Sequence, residues 1–170
     1  MAKRLTYAMV GGGPDGFIGD AHRRAIGLDG TAAIAAGVFS RNREKSFQMA
    51  ESLGISPDRC YEDYQTMARA EGEREDGIDF VTVVTPNQSH YEICRAFLEA
   101  GIHVVCDKPV TTTYRQAKEL EALAEDKGLL FMVTYTYMGY VTAKYARELV
   151  ASGAIGEVRT VMAEYPQGWL

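Results

Sequence analysis

Short apolar runs and amphipathic stretches take turns along this chain, with glycine or proline at most of the joins. Residues 5–10 (LTYAMV) form an apolar run ending in glycine, the pattern of a strand buried on both faces. Residues 16–29 suit a helix that Gly30 stops, and residues 31–39, rich in Ala, Ile and Val, predict a second strand. A helix over 43–53 closes at Gly54, a very short third strand ends at Tyr61, and 62–70 is helical again. Residues 79–84 (DFVTVV) predict a strong central strand, punctuated by Thr85-Pro86-Asn87. A helix over 89–100, a strand over 103–106, a long helix over 113–127 closed by Gly128 and a strand over 129–134 continue the alternation.

This βαβαβ order predicts an α/β fold, a doubly wound, mostly parallel sheet of the Rossmann kind with helices on both faces. Ligands of such sheets bind beyond the carboxyl ends of the strands. The unusual loops at 11–19, 40–45, 85–90 and 107–109 all fall at such ends, which predicts one shared site. After Thr134 the rhythm changes to a tyrosine-rich linker over 135–140 (YTYMGY), a helix over 143–151 and a strand over 156–165. A lone strand cannot build a second core. The expected organisation is therefore one domain over 1–134, and over 135–170 the linker, helix and first strand of a C-terminal domain that is cut short.

Composition narrows the function classes. The 170 residues are 46% hydrophobic and 24% charged, the profile of a globular protein with a substantial core. A net charge of −5 argues against nucleic acid as a partner. The run Glu71–Asp76 (EGERED) reads as a solvated loop. No apolar stretch of about 18 residues occurs, so no membrane span is expected, and the N-terminal segment reads as a strand, not a secretory signal. Cys60, Cys94 and Cys106 are odd in number and far apart, which fits buried free thiols in a reducing cytoplasm. His22, His90 and His103 have no metal-ligand spacing, so no metal site is expected.

Candidate chemistry begins at the first turn, GGGPDGFIG, where Gly11, Gly13 and Gly16 satisfy G-x-G-x-x-G. In this reading Gly11 permits the tight turn, Gly13 lets a pyrophosphate approach, and Gly16 allows close helix–strand packing. Phe17 and Ile18 then open a helix whose free N–H groups face the phosphates. Pro14 removes one donor from that cradle. At the end of the second strand an NAD-binding domain usually offers Asp or Glu to the ribose 2′-OH, and this chain offers Ser40, Arg41 and, further on, Lys45. Hydroxyl and cationic groups suit a 2′-phosphate, which favours NADP slightly over NAD; Arg43 and Lys45 read equally as solvated residues of the next helix. Pro86 stiffens the loop beneath a nicotinamide, beside Thr85, and Asn87 can hydrogen-bond its ribose. His90 reads either as part of this site or as a satisfied structural histidine. Lys108, at a strand's carboxyl end between Asp107 and Pro109, is placed to orient a substrate hydroxyl and move a proton; in isolation it would read as a surface lysine.

The glycine turn, T-P-N-x-x-H at Thr85–His90 and D-K-P at Asp107–Pro109 together resemble the Gfo/Idh/MocA oxidoreductases, among them glucose–fructose oxidoreductase and inositol dehydrogenase. The tail ARELVASGAIGEVRTVMAEYPQGWL also resembles that family's entry into its C-terminal domain. The resemblance implies NAD(P)-dependent hydride transfer to or from a sugar, inositol or related polyol by a cytoplasmic homo-oligomer. It places Lys108 on the family's catalytic lysine, with Asp107 where the family usually has Glu. The family's second motif, D-x-x-x-H, has no counterpart, since no histidine follows His103. The piece is therefore expected to bind cofactor without turning over substrate alone. Tyr135, Tyr137 and Tyr140 read either as the start of a substrate pocket or as packing residues. Two other readings remain: a non-catalytic dinucleotide-binding regulatory module, and a reductase of another Rossmann family, against which D-K-P argues.

Overall fold

A computed structural model describes residues 4–168; residues 1–3 and 169–170, including the last two positions of the tail resemblance, lie outside them. Five parallel strands form one sheet in the order β2-β1-β3-β4-β5. They are β1 Leu5–Gly11, β2 Ala32–Val38, β3 Phe80–Val84, β4 His103–Cys106 and β5 Phe131–Val133. Between them run helices α1 Phe17–Gly27, α2 Arg43–Ser52, α3 Tyr64–Glu73, α4 His90–Glu99 and α5 Tyr114–Asp126.

The apolar runs become central strands because both of their faces are covered. Successive side chains of a strand point to opposite faces. Ala8 and Val10 of β1, with Val81 and Val83 of β3, pack against Met67 of α3, Ile93 and Phe97 of α4 and Leu120 of α5. Tyr7 and Met9, with Val84, pack on the other face with Ala50 of α2 and Ile18 and Ile26 of α1. Tyr7 and Phe80 stack across the β1–β3 pair with ring centroids 5.3 Å apart. The expected doubly wound architecture is present.

Three local expectations change. The short strand expected before Tyr61 is a single bridge, Gly37 to Cys60, following a 3-10 turn at Pro57–Arg59. The turn leaves one backbone bond to the sheet there, from Tyr61 N to Gly37 O. The charged run at 71–76 is not wholly solvated, because Glu71 lies on the buried side of α3 at 2% exposure. Its carboxylate accepts from Arg59 Nε at 3.0 Å and Tyr61 OH at 2.8 Å, and also from Arg59 Nη2. A buried carboxylate persists only when paired and hydrogen-bonded in this way.

The chain divides into two compact units, one running through Thr134 and the other beginning at Tyr135. The second contains a 3-10 turn at Thr136–Gly139 and helix α6, Val141–Ala151. The strand expected over 156–165 does not form among the described residues. An isolated extended segment has no neighbour to accept and donate its backbone hydrogen bonds, so the apolar pattern alone cannot make it a strand. Tyr137 packs edge-on against Tyr140 and Tyr165 within this unit.

Candidate functional site

Loops after β1, β2, β3 and β4 leave the same, carboxyl edge of the sheet, and each touches the next. Gly11 (φ +90°) and Gly12 (φ +69°) turn the chain out of β1. A Cβ on Gly11 would lie 2.8 Å from the carbonyl oxygen of Val84, and one on Gly13 would lie 2.6 Å from that of Phe39. The glycine turn is thus wedged between the ends of β2 and β3. Gly16 is the N-cap of α1, where no side chain caps the helix, in contrast to Asn42, Asp63 and Thr113 at α2, α3 and α5. The first-turn N–H groups of α1, where Phe17 and Ile18 sit, are left for a ligand, and the positive end of the helix dipole favours an anion there.

The close helix–strand approach expected at Gly16 belongs instead to Gly19. A Cβ on Gly19 would come within 2.3 Å of Gly12 Cα. Gly19→Ala is therefore expected to push α1 off the turn, lowering stability by about 1–3 kcal/mol and weakening dinucleotide binding; thermal melting and a ligand titration on the same variant read both effects. Arg23 completes the turn by donating from Nη1 to Gly12 O at 2.9 Å.

At the end of β2, Ser40 Oγ accepts from Asn42 N at 3.1 Å and Asn42 caps α2 by accepting from Lys45 N at 3.0 Å. Arg41 is exposed. Lys45 Nζ pairs with Asp15 Oδ2 of the glycine turn at 2.6 Å, while Arg43 turns away to Glu62 at 3.0 Å and lies over the Phe47 ring. Ser40 and Lys45 thus stand beside the turn, Arg43 does not, and Arg41 is exposed at the end of the strand between them.

At the other end of the edge, Pro86 and Asn87 are exposed and Thr85 Oγ1 accepts from Ser89 Oγ at 2.8 Å. His90 is fully buried, and its Nδ1 and Nε2 each lie 2.8 Å from a backbone carbonyl oxygen, of Pro109 and Thr85. Both ring nitrogens are thus taken up by backbone carbonyls, the arrangement that the structural reading of His90 expects. Asp107 points inward: its Oδ1 accepts from Thr134 Oγ1 at 2.9 Å and lies 3.6 Å from His22 Nε2. The Lys108–Pro109 bond is cis, and Lys108 is exposed. The ammonium of Lys108 has no hydrogen-bond or ion-pair partner among the described residues.

His22 was not legible as part of this site. Its Nδ1 lies 3.1 Å from Thr82 Oγ1, which makes a continuous line Thr82–His22–Asp107–Thr134 under the edge. Burial holds its pKa below the ordinary histidine range, against the upward pull of Asp107. The available signal was its spacing, three residues after Gly19 and so on the same face of α1. Among the described residues no group of His, Cys, Asp and Glu could hold a metal ion, and no helix is long and apolar enough to cross a membrane.

A glycine turn feeding an uncapped helix, wedged between parallel strands, is the architecture that receives a dinucleotide pyrophosphate. The model of the Gfo/Idh/MocA oxidoreductases, described as an oxidoreductase family with an NAD-binding Rossmann fold, matches residues 5–135. This chain belongs to the Gfo/Idh/MocA family. Among its relatives is the uncharacterized oxidoreductase YfiI of Bacillus subtilis, 42% identical over 170 residues, which cover 99% of this chain and 43% of that protein. The inositol dehydrogenase homologue of Azotobacter vinelandii complexed with NAD+ is 42% identical, with a TM-score of 0.88 over 94% of this chain and 41% of that one. The same homologue complexed with NADH and myo-inositol gives the same TM-score and identity. The levoglucosan dehydrogenase of Pseudarthrobacter phenanthrenivorans is more distant, 26% identical over 98% of this chain and 42% of that protein. The chain spans less than half the length of these family members. Its first unit is accordingly the family's NAD-binding Rossmann domain, and the wedged turn and uncapped α1 fit that cofactor's phosphates.

Proposed function

We propose that the whole protein transfers hydride between a nicotinamide dinucleotide and a CH–OH carbon of a sugar, inositol or related polyol, and that this chain supplies the cofactor half of the site. The observation that carries this reading is Lys108, exposed without a partner among the described residues, on a loop whose flanking residues Asp107 and Pro109 are held by Thr134 and His90. The dinucleotide, when bound, supplies the hydride acceptor or donor. Gly11, Gly13 and Gly16 and the first turn of α1 hold its pyrophosphate, Thr85, Pro86 and Asn87 border its nicotinamide ribose, and Lys108 Nζ orients the substrate hydroxyl and shares its proton. Asp107 and Pro109 hold that lysine in place. The inositol dehydrogenase homologue bound to NADH and myo-inositol supports a polyol as the substrate class. Three buried free cysteines fit a reducing compartment, and we place the protein in the cytoplasm.

At the adenosine end, Ser40 and Arg41 stand where NAD-specific domains carry a carboxylate, so we propose a preference for NADP(H). The Azotobacter vinelandii homologue was found with NAD+ and NADH, which makes this the deciding titration. NADPH is expected to bind this chain more tightly than NADH, and Arg41→Ala is expected to weaken NADPH about tenfold, the worth of one charge-assisted contact, while leaving NADH unchanged. Much tighter NADH binding overturns the preference. Neither dinucleotide binding overturns the cofactor assignment itself. With either cofactor the isolated chain is expected to show no turnover of a polyol.

A further inference from the structure

His90 sits at the start of α4 with no exposed surface, and its two ring nitrogens face two carbonyl oxygens, Thr85 O and Pro109 O, each at 2.8 Å. Carbonyl oxygens only accept. A neutral imidazole has one N–H and one bare nitrogen, and a bare nitrogen against a carbonyl would set two lone pairs together. Both bonds form only when both nitrogens carry protons. We infer that His90 is a positioning residue that stands as an imidazolium and clamps the loop after β3 to the loop after β4, fixing Lys108 relative to Pro86 and Asn87.

Several observations agree. Thr85 O and Pro109 O belong to loops otherwise separate in sequence, and the clamp ties the loop that carries the exposed Lys108 to the one that carries Pro86 and Asn87. The titratable groups facing the ring are Cys106 of β4 and, through it, Cys94 of α4. Burial works against the charge, but Cys106 and the two carbonyls more than offset it and raise the His90 pKa to about 9. Cys106 is itself held down, first by the hydrogen bond from Cys94, and then by His90. A charge that binds two loops has a defined pH dependence. Its folded pKa lies above the ordinary 6.5, so its stabilisation is full below about pH 6.5 and is lost as pH rises through about 9.

Nitrogen-15 spectra of the three histidines in this chain test the charge without any ligand. The expected result is a His90 ring with both nitrogens protonated at about pH 8, above the ordinary histidine value; one bare nitrogen at that pH overturns the inference. The second arm is His90→Gln, whose amide can reach one carbonyl but not both. Its midpoint temperature is expected to fall below that of the wild type by an amount that is largest near pH 6 and shrinks toward pH 9. Amides over 85–89 and 107–110 are expected to exchange at least about tenfold faster than in the wild type, the effect of about 1.4 kcal/mol lost locally. A pH-independent gap, or unchanged exchange in those loops, shows mere packing and overturns the clamp. That the clamp serves Lys108 rests on the function proposed above. In the full-length enzyme it predicts a fall in kcat for His90→Gln with little change in dinucleotide affinity. Failure of the wild-type chain to bind any dinucleotide removes the cofactor reading but leaves the protonation state read from the His90 nitrogens intact.

Discussion

Lys108→Met in the full-length protein is expected to lower kcat for the proposed polyol oxidation by about 10²–10⁴, the range for losing a positioned proton-transfer group, and to leave the dinucleotide Kd nearly unchanged. Methionine keeps the length of the side chain and removes its charge and its donors. The two loops that hold Lys108 are fixed by backbone and buried contacts that the substitution does not touch: His90 to Pro109 O, and Asp107 to Thr134 and His22. The adenosine and pyrophosphate contacts proposed above lie at the far loops. Binding and turnover therefore separate, and a steady-state comparison beside a binding titration reads both. Activity within a few-fold of the wild type removes Lys108 from the chemistry. A parallel loss of dinucleotide affinity shows that the lysine serves the cofactor and not the substrate.

Glu71→Ala is expected to cost about 3–5 kcal/mol, the usual penalty for breaking a buried ion pair from one side. It strands the Arg59 guanidinium, whose side chain is 11% exposed, and leaves the Tyr61 hydroxyl without its acceptor. Asp76, 3.7 Å from Arg59 and largely exposed, can recover part of the loss. For a chain of this size the midpoint temperature falls by roughly 10 °C. Arg59→Met combined with Glu71→Leu restores most of it, because the charges then leave together. If Glu71→Ala melts with the wild type, the pair is no more than a surface contact. Tyr61 belongs to the same network: burial and the Glu71 carboxylate push its hydroxyl up to about 12, so it stays a donor to Glu71 throughout the neutral range.

These two residues mark where sequence reasoning reached and where it stopped. The placement of Lys108 beyond the carboxyl end of a strand was legible because its context is local: a short apolar strand, then a proline immediately after the lysine. The strands and most helices were legible for the same reason, since burial on one face or two imposes its own period. Glu71 was not legible. Its partners lie 12 and 10 residues away, in a 3-10 turn and its exit, and nothing in EGERED distinguishes the one carboxylate that turns inward. The glycine turn joins β1 and α1 as its spacing predicts, with one detail changed. The spacing rule assigns helix packing to Gly16, but the turn is long enough that α1 begins after it and the contact moves one helical turn on, to Gly19. His22 escaped because its role depends on Asp107 and Thr82, 85 and 60 residues distant. The strand expected over 156–165 shows the opposite error, a pattern that is legible but has no neighbour to pair with.

The sheet order carries a consequence for how the protein is made. β1 emerges first from the ribosome yet occupies a central place, with β2 on one side and β3 on the other. Val10 pairs with Val38 and with Val83, so one of its two hydrogen-bonding edges stays open until more than seventy further residues have been synthesised. At translation rates of about 5–20 residues per second, the nascent chain carries that bare edge for several seconds. The glycine turn hangs from the end of the same strand and is shaped by Val84 from above, so a dinucleotide in the cell has nothing to grip during that interval. Cofactor can stabilise the finished sheet by mass action, but it arrives too late to shepherd the first strand. Protection of that interval falls to the folding of β3 itself, four of whose five residues are buried.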